Sequence, residues 1–142
     1  MIFVDTWAWL ALAYARDPYH AAAVWCHQRL LRDGRRYVTT DYVLCETISS
    51  LFGVVPFAQA ERFVGRLLAS LDAGDYELQR ITPSRFQEAW RLRRRYHDKP
   101  DISFTDLTSI AVMRERDITD VFTGDAHFAQ VGLGFRLFPQ RP

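Results

Sequence analysis

Met1-Ile2-Phe3-Val4-Asp5-Thr6-Trp7 opens the chain, and its reading decides the fold. Ile2-Phe3-Val4 is apolar at every position, the pattern of a strand buried on both faces of a parallel sheet. An acid and a hydroxyl follow at once. Trp7, Leu10, Ala11 and Tyr14 then recur at helical spacing. The same order of strand, then acid, returns late in the chain, where Asp120-Val121-Phe122-Thr123 reads as a strand and Gly124-Asp125 follows it. Between these two stretches the pattern alternates. A helix is predicted from Asp17-Pro18 to Asp33-Gly34, and a strand over Arg36-Tyr37-Val38-Thr39. Asp41 is positioned to cap a helix carrying Val43, Leu44, Ile48 and Leu51, which Gly53 ends. Pro56 opens another helix that closes at Ala73-Gly74, and a strand runs from Tyr76 to Ile81. Thr82-Pro83 starts a helix that reaches Tyr96. After the loop Lys99-Pro100-Asp101, Ser103 starts a helix with Leu107, Ile110, Ala111 and Met113 as its apolar stripe. Phe135-Arg136-Leu137-Phe138 reads as the last strand. Strands alternating with helices predict an α/β sandwich with a mainly parallel sheet. Ligands of such sheets lie beyond the carboxyl ends of the strands.

Composition sets the frame for function. At 142 residues the chain is expected to form one domain, residues 1–142, large enough to hold an ordinary core. Hydrophobic residues at 49% and charged residues at 25% are globular averages. A net charge of +1 excludes bulk charge as the driver of nucleic-acid or membrane binding, so any such contact needs a local patch. Lys99 is the single lysine against seventeen arginines, which favours forked contacts to phosphate or carboxylate. Cys26 and Cys45 lack metal-ligand spacing and read as buried core thiols of a reducing compartment. The start of the chain has no basic leader and no apolar run approaches the ~20 residues of a membrane span. A cytoplasmic, soluble protein with no membrane partner is therefore expected.

Four acids carry the functional argument. Asp5 and Asp125 follow strands directly and should project into the crevice, although either on its own also fits a helix cap. Asp106 shares a helix face with Ile110 and Met113, a stripe that packs inward, and Ser103-Phe104-Thr105-Asp106 has capping-box spacing. Glu46 lies in mid-helix among Val43, Leu44, Thr47 and Ile48. If all four converge, each pair repels by roughly 3 kcal/mol at ~5 Å and an effective dielectric of about 20. Six pairs then cost on the order of 10–20 kcal/mol, as much as the whole stability of a domain. Such a cluster persists only with bound protons or a cation among the carboxylates. All-oxygen ligation selects a hard divalent ion, Mg²⁺ or Mn²⁺, the usual apparatus of phosphoryl chemistry.

These stretches resemble a known family. Ile2-Phe3-Val4-Asp5-Thr6, Glu46 after Thr40-Asp41, Ser103-Phe104-Thr105-Asp106 and Val121-Phe122-Thr123-Gly124-Asp125-Ala126-His127-Phe128 are similar to the PIN domain, and more narrowly to the VapC-type toxin ribonucleases. The resemblance runs along the whole chain in order, through Gly132-Leu133-Gly134-Phe135. It implies a three-layer α/β/α sandwich, Mg²⁺- or Mn²⁺-dependent endoribonuclease activity, a homodimer, and neutralisation by a small antitoxin protein. Position by position, Asp5, Glu46, Asp106 and Asp125 match the family's catalytic and metal-binding acids. Thr6 and Thr123 match its supporting hydroxyls. Asp101 sits in the loop and matches no position. His127 is read as a neighbour of the site. Metal-activated water as the nucleophile would leave 5′-phosphate and 3′-OH ends.

RNA also needs phosphate contacts outside the acids. The candidates are Arg91, Arg94 and Arg95, which share a helix face, with Arg93, and with Arg114 and Arg116 at the other end of the site; a solvated helix face is the competing reading. Phe3, Trp25, Phe63, Phe86 and Trp90 have core spacing. Val54, Val55, Phe57, Phe63 and Val64 suit either core burial or a dimer or antitoxin surface. Other classes fit less well. A receiver-type phospho-acceptor domain needs a lysine after a late strand, and Lys99 precedes Pro100 in a loop. An aspartyl phosphatase wants a second Asp at position 7, where Trp7 stands. A catalytically inactive RNA- or protein-binding module of the same fold would not need the complete acid set.

Overall fold

The computed structural model describes residues 1–140. Its elements are β1 (Ile2–Val4), α1 (Thr6–Ala13), α2 (His20–Arg32), β2 (Tyr37–Thr40), α3 (Asp41–Val54), α4 (Phe57–Asp72), β3 (Tyr76–Gln79), α5 (Pro83–Arg95), α6 (Phe104–Glu115), β4 (Asp120–Phe122), α7 (His127–Gln130) and β5 (Arg136–Phe138). The five strands pair in the order β3-β2-β1-β4-β5, and every pairing is parallel. Helices cover the sheet on both sides, which gives the three-layer α/β/α architecture expected from the sequence. β1, β2 and β4 are buried at every position, whereas β3 and β5 form the two edges.

Strand order decides where a ligand can sit. The chain leaves β1 toward β2 and β3 on one side, then returns to β4 and β5 on the other. Connections therefore diverge at the carboxyl ends of β1 and β4, and a crevice opens there. β1 and β4 are in register through Phe3–Val121 and Val4–Phe122. The residues that follow them, Asp5 and Thr123, consequently come out side by side.

Several local expectations are corrected. Thr40, and not Asp41, caps α3: its hydroxyl accepts the Val43 N–H at 3.1 Å. Asp41 instead accepts the Ile81 N–H and ties α3 to the end of β3. Gly53 lies within α3, which continues to Val54. Helical spacing proved a poor guide to which aromatics are internal. Phe3 is buried and Phe63 half-buried, but Trp25, Phe86 and Trp90 are exposed. Cys26 is buried as expected and Cys45 is exposed. In the candidate partner surface Val55 and Val64 are core, while Val54 and Phe57 are open to solvent.

At the amino ends of the strands, opposite the crevice, a buried carboxylate fixes the sheet. Asp120 accepts hydrogen bonds from Arg35 at 2.6 Å and from Arg136 at 2.7 and 2.9 Å. Burial alone would raise its pKa, but the two guanidiniums outweigh that and hold it below the usual carboxylate range. Asp120→Asn is expected to lower stability by about 1–3 kcal/mol through the lost charged hydrogen bonds. The difference should shrink as the pH falls below the ordinary 3.8 of Asp120, where the native carboxylate also takes up its proton. Urea unfolding at neutral and acid pH measures both effects.

Candidate metal centre

Asp5 occupies the N-cap position of α1 but does not use its side chain to cap the helix. Only 3% of the residue is exposed. Its Oδ2 accepts a hydrogen bond from the Thr123 hydroxyl at 2.9 Å, and its Oδ1 has no partner. Thr123 in turn accepts the Asp125 N–H at 3.0 Å, so one hydroxyl orders the acids that follow both β1 and β4. The Oδ1 of Asp125 accepts the His127 N–H at 2.9 Å, a tight turn that aims the imidazole back at the acids.

Asp106 comes from the first turn of α6, where Ser103 accepts its backbone N–H at 3.0 Å. This half of the capping box is formed. The Asp106 carboxylate faces the crevice instead of closing the box: its Oδ2 lies 3.2 Å from His127 Nδ1. The same nitrogen is 3.2 Å from Asp125 Oδ1. One donor atom each from Asp106, Asp125 and His127 lie within 4.8 Å of one another. Asp5 borders this group through Thr123 but is not in it. Glu46, half-buried on α3, stands close enough to Asp106 for its charge to act there, and it shares a shallow cleft of about 420 Å³ with Tyr42, Cys45 and Thr105. Thr6 is buried with its hydroxyl unpartnered.

The remaining candidates fall elsewhere. Asp101 is exposed in its loop. Arg91, Arg94 and Arg95 are exposed on α5, Arg91 pairing with Glu88 at 3.3 Å. Arg93 is half-buried and donates to the carbonyls of Tyr96, Lys99 and Ile102, so it holds the α5–α6 loop and is not free to bind a ligand. Arg114 and Arg116 close α6 at the far end of the sheet from the acids, with Arg116 bound to Glu77 at 2.8 Å. No ligand spacing in the chain marks His127; its place depends on the Asp125 turn meeting the start of α6.

Electrostatics ask for a cation here. Burial, then the neighbouring Asp106 carboxylate, pushes Asp5 up to about 7, against the opposing hydrogen bond from Thr123. Burial likewise raises Asp106, with Asp125 and Glu46 adding to it and His127 opposing. Ligand atoms around one small divalent ion stand about 3–4 Å apart. The spacing within the cluster and the unpartnered, buried Oδ1 of Asp5 therefore fit a divalent ion, which would be held by Asp106 and Asp125 with Asp5 and Glu46 beside them.

Two outcomes follow from this geometry. A carboxyl held near 7 stabilises the fold fully below its ordinary 3.8, and that contribution is lost as the pH rises through about 7. Without divalent ions the protein should thus be less stable at about pH 8 than at about pH 5, by at most roughly 3 kcal/mol. Asp5→Asn should flatten that slope and be the more stable form at the higher pH, as thermal unfolding across pH will show. The second concerns Gly124, where an added Cβ would come within 2.3 Å of the indole ring of Trp7. Gly124→Ala should cost about 1–3 kcal/mol by overpacking, and a smaller side chain at position 7 should recover most of it in a double-mutant cycle.

Comparison with known proteins agrees with the architecture. Residues 2–133 match the PIN domain. The 23S rRNA-specific endonuclease VapC20 of Mycobacterium tuberculosis, from strains CDC 1551 / Oshkosh and ATCC 25618 / H37Rv, is 31% identical over 134 residues, covering 93% of this chain and 95% of the relative. The crystal structure of Mycobacterium tuberculosis VapC20, described as a sarcin-ricin loop cleaving toxin, superposes with a TM-score of 0.78 at 30% identity, over 93% of this chain and 95% of that one. A five-stranded parallel sheet that brings strand-end acids to one crevice and this match along nearly the whole chain lead to one assignment: the protein belongs to the PIN-domain family, among the VapC-type toxin ribonucleases.

Proposed function

We propose that residues 1–142 act as one catalytic domain, a Mg²⁺- or Mn²⁺-dependent endoribonuclease that is the toxin of a toxin–antitoxin pair and cuts a structured loop of ribosomal RNA. The observation that carries this reading is the meeting of Asp5, Asp106 and Asp125 at the β1–β4 switch point, with one buried Asp5 oxygen left unbonded. The choice of RNA rests on the relatives, whose names specify 23S rRNA. A divalent ion bound at these carboxylates supplies positive charge to the scissile phosphate and promotes ionisation of water.

The chain's own residues divide the rest of the work. Asp106 and Asp125 are the principal carboxylate ligands, and Asp5 turns its free oxygen to the same site. Thr123 holds Asp5 and the Asp125 backbone in place, and Thr6 is the second supporting hydroxyl. Glu46, on the open side of the cleft, orients the attacking water for in-line displacement. Arg91, Arg94 and Arg95 offer phosphate contacts on α5 and make affinity for single-stranded RNA salt-dependent. Phe57, 67% exposed and packed 5.3 Å from Phe52 at the α3–α4 turn, belongs to an apolar tip suited to a protein partner, the second protomer of a homodimer or a small antitoxin. Among the described residues no helix is long and apolar enough to cross a membrane; the RNA substrate places the proposed activity in the cytoplasm.

Cleavage of a ribosomal RNA fragment should require added Mg²⁺ or Mn²⁺ and stop with a chelator. Asp106→Asn should slow it by at least about a hundredfold while the fold is kept. Products should carry 5′-phosphate and 3′-OH ends. A 2′,3′-cyclic phosphate would mean that the RNA's own hydroxyl is the nucleophile and would overturn the mechanism.

A further inference from the structure

We propose that His127 is itself a metal ligand through Nδ1, so that the ion sits in a mixed nitrogen and oxygen set and the site prefers Mn²⁺ to Mg²⁺. The inference rests on the nuclease reading of the same site and goes beyond the four acids that define it. His127 Nδ1 is 3.2 Å from Asp106 Oδ2 and 3.2 Å from Asp125 Oδ1, equidistant from the two carboxylates with which it forms the one group of three close donor atoms among the described residues. Hydrogen bonding to a single carboxylate would not require that symmetric position.

The ring is also fixed in advance. Its backbone N–H is bound by Asp125, and the next residue, Phe128, is fully buried against Phe135. Among the described residues Nε2 has no hydrogen-bond partner, and 24% of the side chain is exposed. In the neutral tautomer with hydrogen on Nε2, that hydrogen faces solvent and the Nδ1 lone pair faces the acids. The buried and unbonded Asp5 Oδ1 is a separate indication that the crevice is built around a cation. An imidazole donor does little for Mg²⁺, which takes oxygen ligands, and raises affinity for ions later in the transition series.

The test uses the metal-free full chain titrated with Mn²⁺ and read by pulsed electron spin resonance. A directly bound imidazole gives ¹⁴N modulation of the Mn²⁺ echo, and ¹⁵N-histidine labelling should change it. Of the four histidines only His127 stands with the acids, so the label assigns the nitrogen even if a variant fails to fold. In His127→Gln the modulation should vanish and Mn²⁺ should bind about tenfold more weakly or worse, while Mg²⁺ affinity changes by less than about threefold. Bound Mn²⁺ without ¹⁴N coupling in the parent protein, or an equal loss for both ions in the variant, would overturn the ligand assignment and leave the nuclease reading standing. Failure of the parent protein to bind either ion would overturn both.

Discussion

Two carboxylates buried side by side, one of them with an oxygen that no donor reaches, are the constraint around which this protein is organised. Desolvation and mutual repulsion both oppose the ionised state of Asp5 and Asp106. A fold that sought only stability would place neither there. The arrangement is tolerated because β1 and β4 lie at the centre of a parallel sheet, where neighbouring strand ends are held rigidly in register. Thr123 then uses a single hydroxyl on the two acids that follow these strands, donating to the side chain of Asp5 and accepting the backbone N–H of Asp125. Charge that is unfavourable on its own would become affinity for a cation.

The two ends of the sheet make opposite use of the same chemistry. At the amino end, Asp120 is buried but saturated by two guanidiniums, so its negative charge is spent on joining β2, β4 and β5. At the carboxyl end the acids are left short of donors. Three arginines on α5 remain exposed near that end, where they face solvent instead of neutralising the acids. One aspartate holds strands together and the others are left with few donors because of the partners that topology brings to each.

Much of this was legible in the chain. The apolar run Ile2-Phe3-Val4 followed at once by Asp5 specifies a buried strand with an acid at its carboxyl end, and Phe122-Thr123-Gly124-Asp125 repeats the signal. Asp106 could be read because an acid on an otherwise apolar helix stripe needs a reason to be there. His127 could not be placed the same way, since no spacing relates it to Asp106; their contact depends on how a turn after β4 meets the start of α6. Trp25 and Trp90 have core spacing yet are 55% and 51% exposed, because helical period says that a face exists and not which face meets the sheet. Cys45 went the same way. For Arg93 the sequence shows only a basic run, whereas the carbonyls it binds belong to a loop whose path the sequence does not reveal.

Trp7 and Gly124 are separated by nearly the whole length of the chain, yet the indole occupies the space that any side chain at 124 would need. The two positions act as one steric unit. Bulk on one side must be matched by its absence on the other, so across homologous sequences these sites should drift together and not independently. A glycine that looks like a simple turn residue is in this way an imprint of a tryptophan far away in the sequence.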